Sequence, residues 1–437
     1  MARIAICPHP VFPRANARDS LASGFSRSQA MTENVSISRN LSASAHALAH
    51  PSEEFTGATA RPAAWVRSGW KAMATVREAS ASEVARWDEL ITRFDGCAVA
   101  HRLAWVRSLE ASGLGKPLLL VFEREGQIVG CLPGLLVRVG PLRIFGSPLQ
   151  GWQSAGMGPV FDAGRVSADE LTATLIAFLE RHHGVHHIEL MSGTLDHSAM
   201  RAAGFKGVPV PTFRCRLLAD EKAQRKALKE SVRRNIRRAS GLGLVVRFEE
   251  DERFVDEHYD QVCEVFARGG NSVPFRKRRA VEYVRHLRAS GNLLAAAVYL
   301  PSGECIATST FAVAGRELLL WNWTHRTRYR WYRPTELMTW TVMRRATELG
   351  CDTFDMMGRG DFKARFGAEL DETRYRWVRS RYAWVGWLRD FAAVCYRSQQ
   401  AVRGRLTKAR MRVVAAILPE RGQVPEHGER AATGDVS

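Results

Sequence analysis

The sequence predicts a protein of the α/β class in the broad sense, and of the α+β class in the narrower one. It is built from two successive units whose secondary-structure elements follow the same order. Two observations carry this prediction. The chain has 437 residues, which is too long for one ordinary hydrophobic core. From residue 75 onward the hydrophobic pattern reads strand, helices, β-hairpin, strand, helix, strand, and this order occurs twice. Each unit is therefore expected to be a mixed sheet with helices on its faces.

The first unit is predicted to span 73–218. Its hairpin turns at Glu125-Gly126, because two β-rich runs flank a glycine turn there. The predicted elements are a strand at 74–79, helices at 81–94 and 102–112, the hairpin at 117–140, a helix at 168–183, and strands at 186–191 and 212–218.

The second unit is predicted to span 219–383 and repeats that order. Its hairpin turns at Pro301-Ser302-Gly303. The predicted elements are a helix at 221–240, a strand at 243–250, helices at 252–268 and 276–289, the hairpin at 292–313, a strand at 317–325, a helix at 335–349, and strands at 351–357 and 374–380.

Composition and charge narrow the class of protein. Apolar residues make up 46% and charged residues 25%, as in globular domains, and no apolar run approaches the length of a membrane span. The net charge of +18 favours polyanionic partners such as phosphorylated or nucleotide-linked substrates, RNA or an anionic membrane, although general solubility explains it equally well. Eight scattered cysteines and the lack of a secretory apolar segment indicate the cytoplasm.

The two ends of the chain differ from the units between them. Residues 1–72, rich in Ala, Ser, Arg and Pro, are expected to be a disordered basic leader. Residues 384–437 begin with a basic amphipathic helix and end in a disordered tail. Such a helix lies on an anionic membrane surface, or it docks its apolar side on the protein with its arginines in solvent. The sequence leaves both readings open.

The segment 328–350 is the first candidate site. It follows a strand and opens a helix at Pro334-Thr335, and proline suits the first turn of a helix. Free backbone N–H groups at a helix start, together with the helix dipole, form an anion site. Arg330 and Arg333 add positive charge there.

The segment "DMMGRGDFKARFG" (355–367) is the second. Gly358 and Gly360 allow a sharp turn after a strand that ends at Asp355. Lys363 then lies beside an acid and between aromatics, which suits a cation that stabilises developing negative charge or transfers a proton. A structural salt-bridge cluster at the strand end is the alternative.

The segment 226–244 is the third. Residues 211–240 contain ten Lys and Arg against three acids. Arg233 and Arg237 run beside an apolar stripe at a spacing of four, which predicts either a phosphate-binding surface or a solvated helix face. The stretch "HHGVHH" (182–187) straddles a helix end and a strand start, so no metal site is predicted from it.

Three stretches, "VRRNIRRASGLGLVVR", "RPTELMTWTVMRRATELG" and "DTFDMMGRGDFKARFG", occur in an order that resembles a known family. They are similar to the C-terminal half of the CelD-like acetyltransferases, the branch of the GNAT superfamily related to the FemABX peptidyltransferases. The resemblance covers roughly 211–385, and the first half fits in element order. It implies two tandem GNAT-like domains, each a mixed, mostly antiparallel sheet flanked by helices, and an acyltransferase activity.

The resemblance also implies a donor site. The pyrophosphate of acyl-CoA would bind the loop that begins at Arg330 and includes Arg333 and Thr335. Arg330 fits the family's Arg/Gln-x-x-Gly-x-Gly/Ala pattern, whereas Arg333 and Thr335 replace its two small residues. Because glycine lets a backbone approach a ligand, this departure counts against acyl-CoA and leaves the fold expectation intact.

By the same resemblance, Phe362-Lys363 matches the Phe-Lys pair near the transfer centre. Lys363 would stabilise the tetrahedral intermediate, and Asp361 is the nearest candidate base. Three residues of the basic helix would lie near acceptor phosphates, namely Arg233, Asn235 and Arg237.

The leading functional prediction is a cytoplasmic acyltransferase, peripheral at the inner membrane surface if the last helix binds lipid. It would move an acetyl or other acyl group from acyl-CoA to an amine or hydroxyl of a cell-envelope sugar, polysaccharide or lipid-linked precursor. An aminoacyl-tRNA donor and a non-catalytic subunit of a polysaccharide-synthesis complex are the alternatives. The sequence does not identify the acceptor or the oligomeric state.

Overall fold

The computed structural model describes residues 73–417, with side chains to residue 409 except at 396, 397, 400, 401, 407 and 408. The predicted leader and the end of the predicted tail lie outside these residues. The strands are β1 (Thr75–Glu78), β2 (Lys116–Arg124), β3 (Gln127–Val139), β4 (Leu142–Ser147), β5 (Val160–Phe161), β6 (His187–Ser192), β7 (Lys206–Pro209), β8 (Thr212–Arg216), β9 (Val245–Phe248), β10 (Leu293–Tyr299), β11 (Cys305–Ala314), β12 (Glu317–His325), β13 (Thr353–Asp355), β14 (Glu369–Asp371) and β15 (Tyr375–Ser380).

The helices alternate with these strands. They are α1 (Ala81–Ala85), α2 (Trp87–Ile91), α3 (Leu103–Ala111), α4 (Ala168–His182), α5 (His197–Ala202), α6 (Glu221–Ala227), α7 (Glu230–Gly241), α8 (Phe254–Arg268), α9 (Lys277–Ala289), α10 (Pro334–Glu348), α11 (Asp361–Ala364) and α12 (Ala383–Ile417). Short 3₁₀ helices lie at Val99–His101 and Thr327–Tyr332.

The strands form two mixed sheets, as predicted. The first has eight strands in the order β1-β2-β3-β4-β6-β15-β7, with β5 beside β3. The second has seven in the order β14-β8-β13-β12-β11-β10-β9. Only β4 with β6, and β12 with β13, are parallel pairs among the described strands. The predicted fold class is confirmed: each unit is a mostly antiparallel sheet flanked by helices.

Both predicted hairpins are present. The first turns at Glu125 and Gly126, which both have positive φ (50° and 75°), as a tight two-residue hairpin turn requires. The second turns just before Gly303, whose φ is 86°. Local turn chemistry therefore fixes the register of the longest strand pairs in each sheet.

The two units exchange strands, which the division of the sequence at 218/219 does not foresee. The division places the strand at 212–218 in the first unit, but β8 pairs with β13 and β14 of the second sheet. It places the strand at 374–380 in the second unit, but β15 pairs with β6 and β7 of the first sheet. Each sheet therefore contains a strand from the other half of the chain.

The basic helix predicted at 221–240 is two helices. Leu228 is buried and extended, and it ends α6, while Lys229 is also extended and precedes α7. The backbone N–H of Lys229 donates to the carbonyl of Arg365 at 2.9 Å. The predicted apolar stripe is nevertheless buried at Leu228, Val232, Ile236 and Ala239. The break ties the basic region to the segment that follows the glycine turn.

One hydrophobic core crosses the boundary between the units. It joins residues of α2, α3, β2 and β3 to residues of α9, β11 and β12, including Trp105, Tyr283 and Trp321. Trp105 meets Tyr283 edge to face at 5.6 Å, and Tyr283 stacks on Trp321 at 4.1 Å. The units are packed as one body at this face.

Candidate active site

The parallel strands β12 and β13 separate part-way along their length. They pair only where Glu317–Leu319 lies beside Thr353–Asp355. Beyond that point the backbone N–H of Met356 still donates to the carbonyl of Phe213 in β8. The chain therefore continues along β8 and leaves β12. The rest of β12, Leu320–His325, then has no strand on that side among the described residues.

The glycine turn in the 355–367 segment causes this separation. Met357 has a φ of 48° and Gly358 a φ of 64°, both in the left-handed region, and Gly360 follows at 154°. Such values reverse the chain direction at once, and glycine adopts them without a Cβ penalty. The turn therefore ends β13 and opens a gap beside the second half of β12.

A bulge in β12 lies at the start of the gap. The register with β11 shifts after Thr310, so that Thr310 faces Asn322 while the next residue faces Leu320. Trp321 is the extra residue, and its indole N–H donates to the carbonyl of Gln153 at 2.9 Å. Bulges redirect side chains and are frequent next to active sites.

Two cross-strand neighbours at the bulge carry unused hydrogen-bonding groups. The amide Nδ2 of Asn322 and the hydroxyl of Thr310 are buried and have no hydrogen-bond partner within the described protein. Buried polar groups are nearly always paired. These two groups are therefore unpaired donors at the bulge, and no sequence motif pointed to them because the bulge decides which residues face each other across the strands.

The helix α11 packs against the free part of β12. The ring of Phe362 meets Trp323 edge to face at 5.6 Å and Phe366 at 5.2 Å. Phe366 is fully buried in the hydrophobic core between the second sheet and the helices α7 and α10. This aromatic contact fixes the short helix, and with it Lys363, at the edge of the gap.

Lys363 turns back onto the glycine turn. Its ammonium Nζ donates to the backbone carbonyls of Met357 and Gly358. Burial lowers the pKa of Lys363 to about 8, against the opposing attraction of the Asp355 carboxylate. The residue is thus an amine that titrates near neutrality at the point where the two strands part. Asp361 is exposed at the first position of α11.

Asp355 is the centre of a buried network below the turn. Its carboxylate accepts hydrogen bonds from Thr212 at 2.5 Å, from Arg374 at 2.8 Å and from the backbone N–H of Met357 at 2.8 Å. Burial alone would raise the pKa of Asp355, but the charge of Arg374 and these hydrogen bonds hold it below its usual range. The structural cluster considered from the sequence therefore exists around Asp355, next to Lys363.

The network borders a cavity of about 190 Å³ between the two units. Arg374, joined to Asp355, and Arg214 line it together with Asp371, which pairs with Arg214 at 3.4 Å. The opposite wall includes the glycines of the 156–158 and 193 segments and His101. No local pattern in the sequence predicts this cavity or its arginines, because its walls come from segments far apart in the chain.

The start of α10 differs from the predicted anion site. A 3₁₀ helix replaces the tight loop, and Arg333 caps α10 with a left-handed φ of 59°. Pro334 has no N–H, and the carboxylate of Glu336, 4% exposed, lies in the first turn. A buried acid there already compensates the positive end of the helix dipole.

Glu336 connects three of the predicted regions. It accepts a hydrogen bond from Nδ2 of Asn235 at 2.8 Å and lies 3.6 Å from the guanidinium of Arg365. The guanidinium of Arg365 in turn lies 5.1 Å from the centre of the Phe362 ring. The basic helix, the start of α10 and α11 are therefore brought together, with Thr335 next to Glu336 in sequence.

The remaining predicted arginines have other neighbours. The guanidinium groups of Arg330 and Arg333 lie over the ring of Trp331, at 4.6 and 5.8 Å, on the surface. Arg233 and Arg237 both pair with the exposed Glu230, at 2.7 and 3.1 Å. Part of the charge of the basic helix is thus neutralised within the helix itself.

The four histidines of 182–187 point to separate partners. His182 lies against Phe178, His183 near Glu78, His186 at the backbone of Arg143, and His187 at Ser380 and Glu189. Among the described residues, no group of three or more His, Cys, Asp and Glu is arranged to hold a metal ion.

The second sheet and its helices are similar to a known domain. Residues 225–377 match the family model described as acetyltransferase (GNAT) domain. The chain carries a GNAT-type acyltransferase domain. The separated strands β12 and β13, the helix α10 and the glycine turn all lie within the matched residues of this GNAT domain. A search of curated proteins finds no match.

Solved structures extend the likeness to both units. FemX aligns with a TM-score of 0.57 at 14% identity, over 69% of this chain and 96% of its own. A conserved protein of unknown function from Bacteroides thetaiotaomicron aligns with a TM-score of 0.50 at 10% identity, over 70% and 99%. A tandem GNAT protein from the clavulanic acid biosynthesis pathway aligns with a TM-score of 0.43 at 15% identity, over 70% and 98%. At these identities the likeness is one of fold alone.

Proposed function

We propose that the protein transfers an acetyl or other acyl group from acyl-CoA to an amine or hydroxyl of an anionic acceptor, in the gap between β12 and β13. The observation that carries the proposal is the position of Lys363 at the point where the strands part, inside the residues that match the GNAT domain. Holding donor and acceptor in attack geometry accounts for much of the rate enhancement in such a transfer.

The chemistry needs few groups. The acceptor nitrogen or oxygen attacks the thioester carbonyl, the new C–N or C–O bond forms, and the C–S bond breaks to release the CoA thiol. The Lys363 ammonium and the unused donors at Thr310 and Asn322 would stabilise the oxyanion of the tetrahedral intermediate. The acceptor's proton leaves to water or to Asp361, which is exposed at the start of α11.

The acceptor proposed is a cell-envelope sugar, polysaccharide or lipid-linked precursor, handled at the cytoplasmic side of the membrane. Its support is the net charge of +18, the resemblance described above and the arginines of the cavity between the units. Phosphate groups on such a precursor would find Arg214 and Arg374 there, and Arg233, Asn235 and Arg237 on α7.

An aminoacyl-tRNA donor is the second candidate. It is favoured by the start of α10, where Pro334 has no N–H and the buried Glu336 occupies the first turn, an unfavourable place for the pyrophosphate of CoA. Competition between tRNA and CoA for binding separates the two donors. A non-catalytic subunit is the third candidate, and saturable thermal stabilisation by acyl-CoA would argue against it.

The test is transfer from radiolabelled acetyl-CoA to envelope precursors by the wild type and by Lys363→Ala. We expect the variant to lose about 10²-fold or more in kcat, the usual effect of removing one oxyanion-stabilising group. Lys277→Ala, which removes an exposed lysine of α9, is the matched control and should keep full turnover. Equal turnover by Lys363→Ala and wild type would remove Lys363 from the mechanism.

A further inference from the structure

The last helix exposes a face rich in large apolar and aromatic side chains. Along α12, large hydrophobic residues recur at the spacing of one helix face, and all are exposed, Trp387 by 75%. This outward face consists of Trp384, Trp387, Leu388, Phe391, Val394, Val402 and Leu406. Trp387 stacks on Phe391, and Tyr382, just before the helix, stacks on Trp384.

A different face of α12 holds the helix on the protein. Val385 is buried, and the guanidinium of Arg389 lies 3.9 Å from Glu189 of the first sheet. At the far end, a side chain at Gly404 would collide with the backbone of Gly270, so the helix lies directly on the end of α8 there. These positions are rotated away from the outward face, since successive residues of a helix differ by about 100°.

Among the described residues, the apolar stripe of α12 therefore does not dock on the protein, which was one of the two arrangements that the sequence left open. The docking contacts use Val385, Arg389 and Gly404, and they leave the outward face uncovered by any described residue. Monomeric soluble proteins rarely leave a contiguous apolar patch of this kind, and such patches mark protein or membrane contacts.

The composition of the face and of its flanks favours lipid. Trp and Tyr combine an apolar ring with a polar N–H or O–H, which suits the boundary between lipid headgroups and hydrocarbon. Over 384–417 the sequence has seven Lys and Arg residues and one acid, Asp390. Among the described residues no helix is long and apolar enough to cross a membrane. A basic amphipathic helix of this composition lies along the membrane surface, with its apolar side in the headgroup region.

We propose that α12 is a membrane-binding helix that lies in the plane of an anionic bilayer through its outward face. Charge complementarity selects this occupant over a second copy of the chain. Two copies meeting face to face would bring two strongly basic helices together, whereas anionic lipids attract them. The inference does not depend on the acyl transfer proposed above.

The experiment uses the full-length protein and vesicle flotation. Vesicles of phosphatidylcholine alone are compared with vesicles of phosphatidylcholine and phosphatidylglycerol. We expect binding to the anionic vesicles to be about tenfold tighter or more than to the neutral ones, and to weaken at high salt, because attraction of the basic helix adds to the burial of its aromatic side chains.

The decisive variant is Trp387→Ser with Phe391→Ser, which should reduce binding to anionic vesicles by about tenfold or more, as expected for loss of two buried aromatic side chains. Its matched control replaces two exposed hydrophobic residues elsewhere, Val139→Ser with Leu349→Ser, and should bind as the wild type does. Circular dichroism and thermal unfolding check that both variants are folded.

Two results would overturn the proposal. One is equal vesicle binding by the wild type and the Trp387/Phe391 variant. The other is the absence of vesicle binding by the wild type. Sedimentation would then show what covers the face: a dimer that the same double substitution dissociates would indicate a second copy, and a monomer would indicate another part of the chain.

Discussion

The ammonium group of Lys363 lies against two backbone carbonyls in a site that burial makes unfavourable for charge. If the charged form stabilises the oxyanion, kcat/KM should fall as pH rises through about 8, the pKa of Lys363 in the free protein. Lys363→Arg should move this descending limb to higher pH, and Lys363→Ala should abolish it at a much lower rate. The measurement is kcat/KM against pH for the three proteins. A rate that rises through the same pKa would assign Lys363 the role of a base instead.

The burial of Lys363 also predicts how the free energy of unfolding depends on pH. Because the folded pKa of about 8 lies below the ordinary value of 10.5, the unfolded chain binds the proton more tightly between these values. This group's contribution to the free energy of unfolding should therefore become more favourable as pH rises from 8 to 10.5. Urea unfolding of the wild type and of Lys363→Met across that window tests it. The variant should have a smaller pH slope, and identical slopes would contradict the buried titration.

Asp355 is expected to matter for folding first. Asp355→Asn leaves Arg374 buried without its counter-charge, and breaking such a pair costs about 3–5 kcal/mol of unfolding free energy. Asp256→Asn removes an exposed partner of Lys277 and is the control, expected to change stability little. Chemical denaturation of both variants measures the difference. Similar small losses for the two would mean that the Asp355 network is not a structural centre.

At the scale of elements, the glycine turn connects strand geometry to the proposed chemistry. Gly358→Ala places a Cβ at a φ of 64°, which costs about 1–2 kcal/mol, while the nearest atom, Nζ of Lys363, lies 3.9 Å away in ordinary contact. The substitution should therefore strain the turn that positions Lys363 and should lower both stability and acyl transfer.

Gly350→Ala is the matched control for this prediction. Gly350 has a φ of 86° at the end of α10, and an added Cβ meets nothing within 4 Å. Gly350→Ala should lose similar stability and keep the wild-type rate of acyl transfer. Equal rates of acyl transfer by Gly358→Ala and Gly350→Ala would contradict the proposed role of the turn.

Elements set by nearby residues could be predicted from the sequence. Both hairpins turn where glycine follows residues suited to a turn, and the stripe of the basic helix is buried as its period indicates. The partners of β8 and β15 could not be predicted, because both are short strands and nothing in their own pattern selects a sheet. Asn322, Arg374 and the cavity were missed for the same reason, since strand pairing brings their neighbours together. Asn235, Phe362 and Arg365 converge near Glu336, which the sequence did not single out, whereas Arg330 and Arg333 lie around Trp331.

At the scale of the whole molecule, the exchanged strands and the shared core predict one cooperative unit. Each sheet needs a strand from the other half, and the core around Trp105 and Trp321 spans both. The described region should therefore unfold in a single transition. Scanning calorimetry tests this through the ratio of van't Hoff to calorimetric enthalpy, which should be close to unity. Two separate transitions would mean that the units unfold independently.

The position of β15 has a consequence for synthesis on the ribosome. This strand lies between β6 and β7, so β7 reaches the first sheet through residues that are translated almost at the end of the described chain. The first sheet therefore stays incomplete, with β6 unpaired on one side, until Tyr375–Ser380 have left the exit tunnel. Nascent chains stalled before that point should thus be susceptible to proteases and chaperones, even though every other strand of the first sheet has already been made.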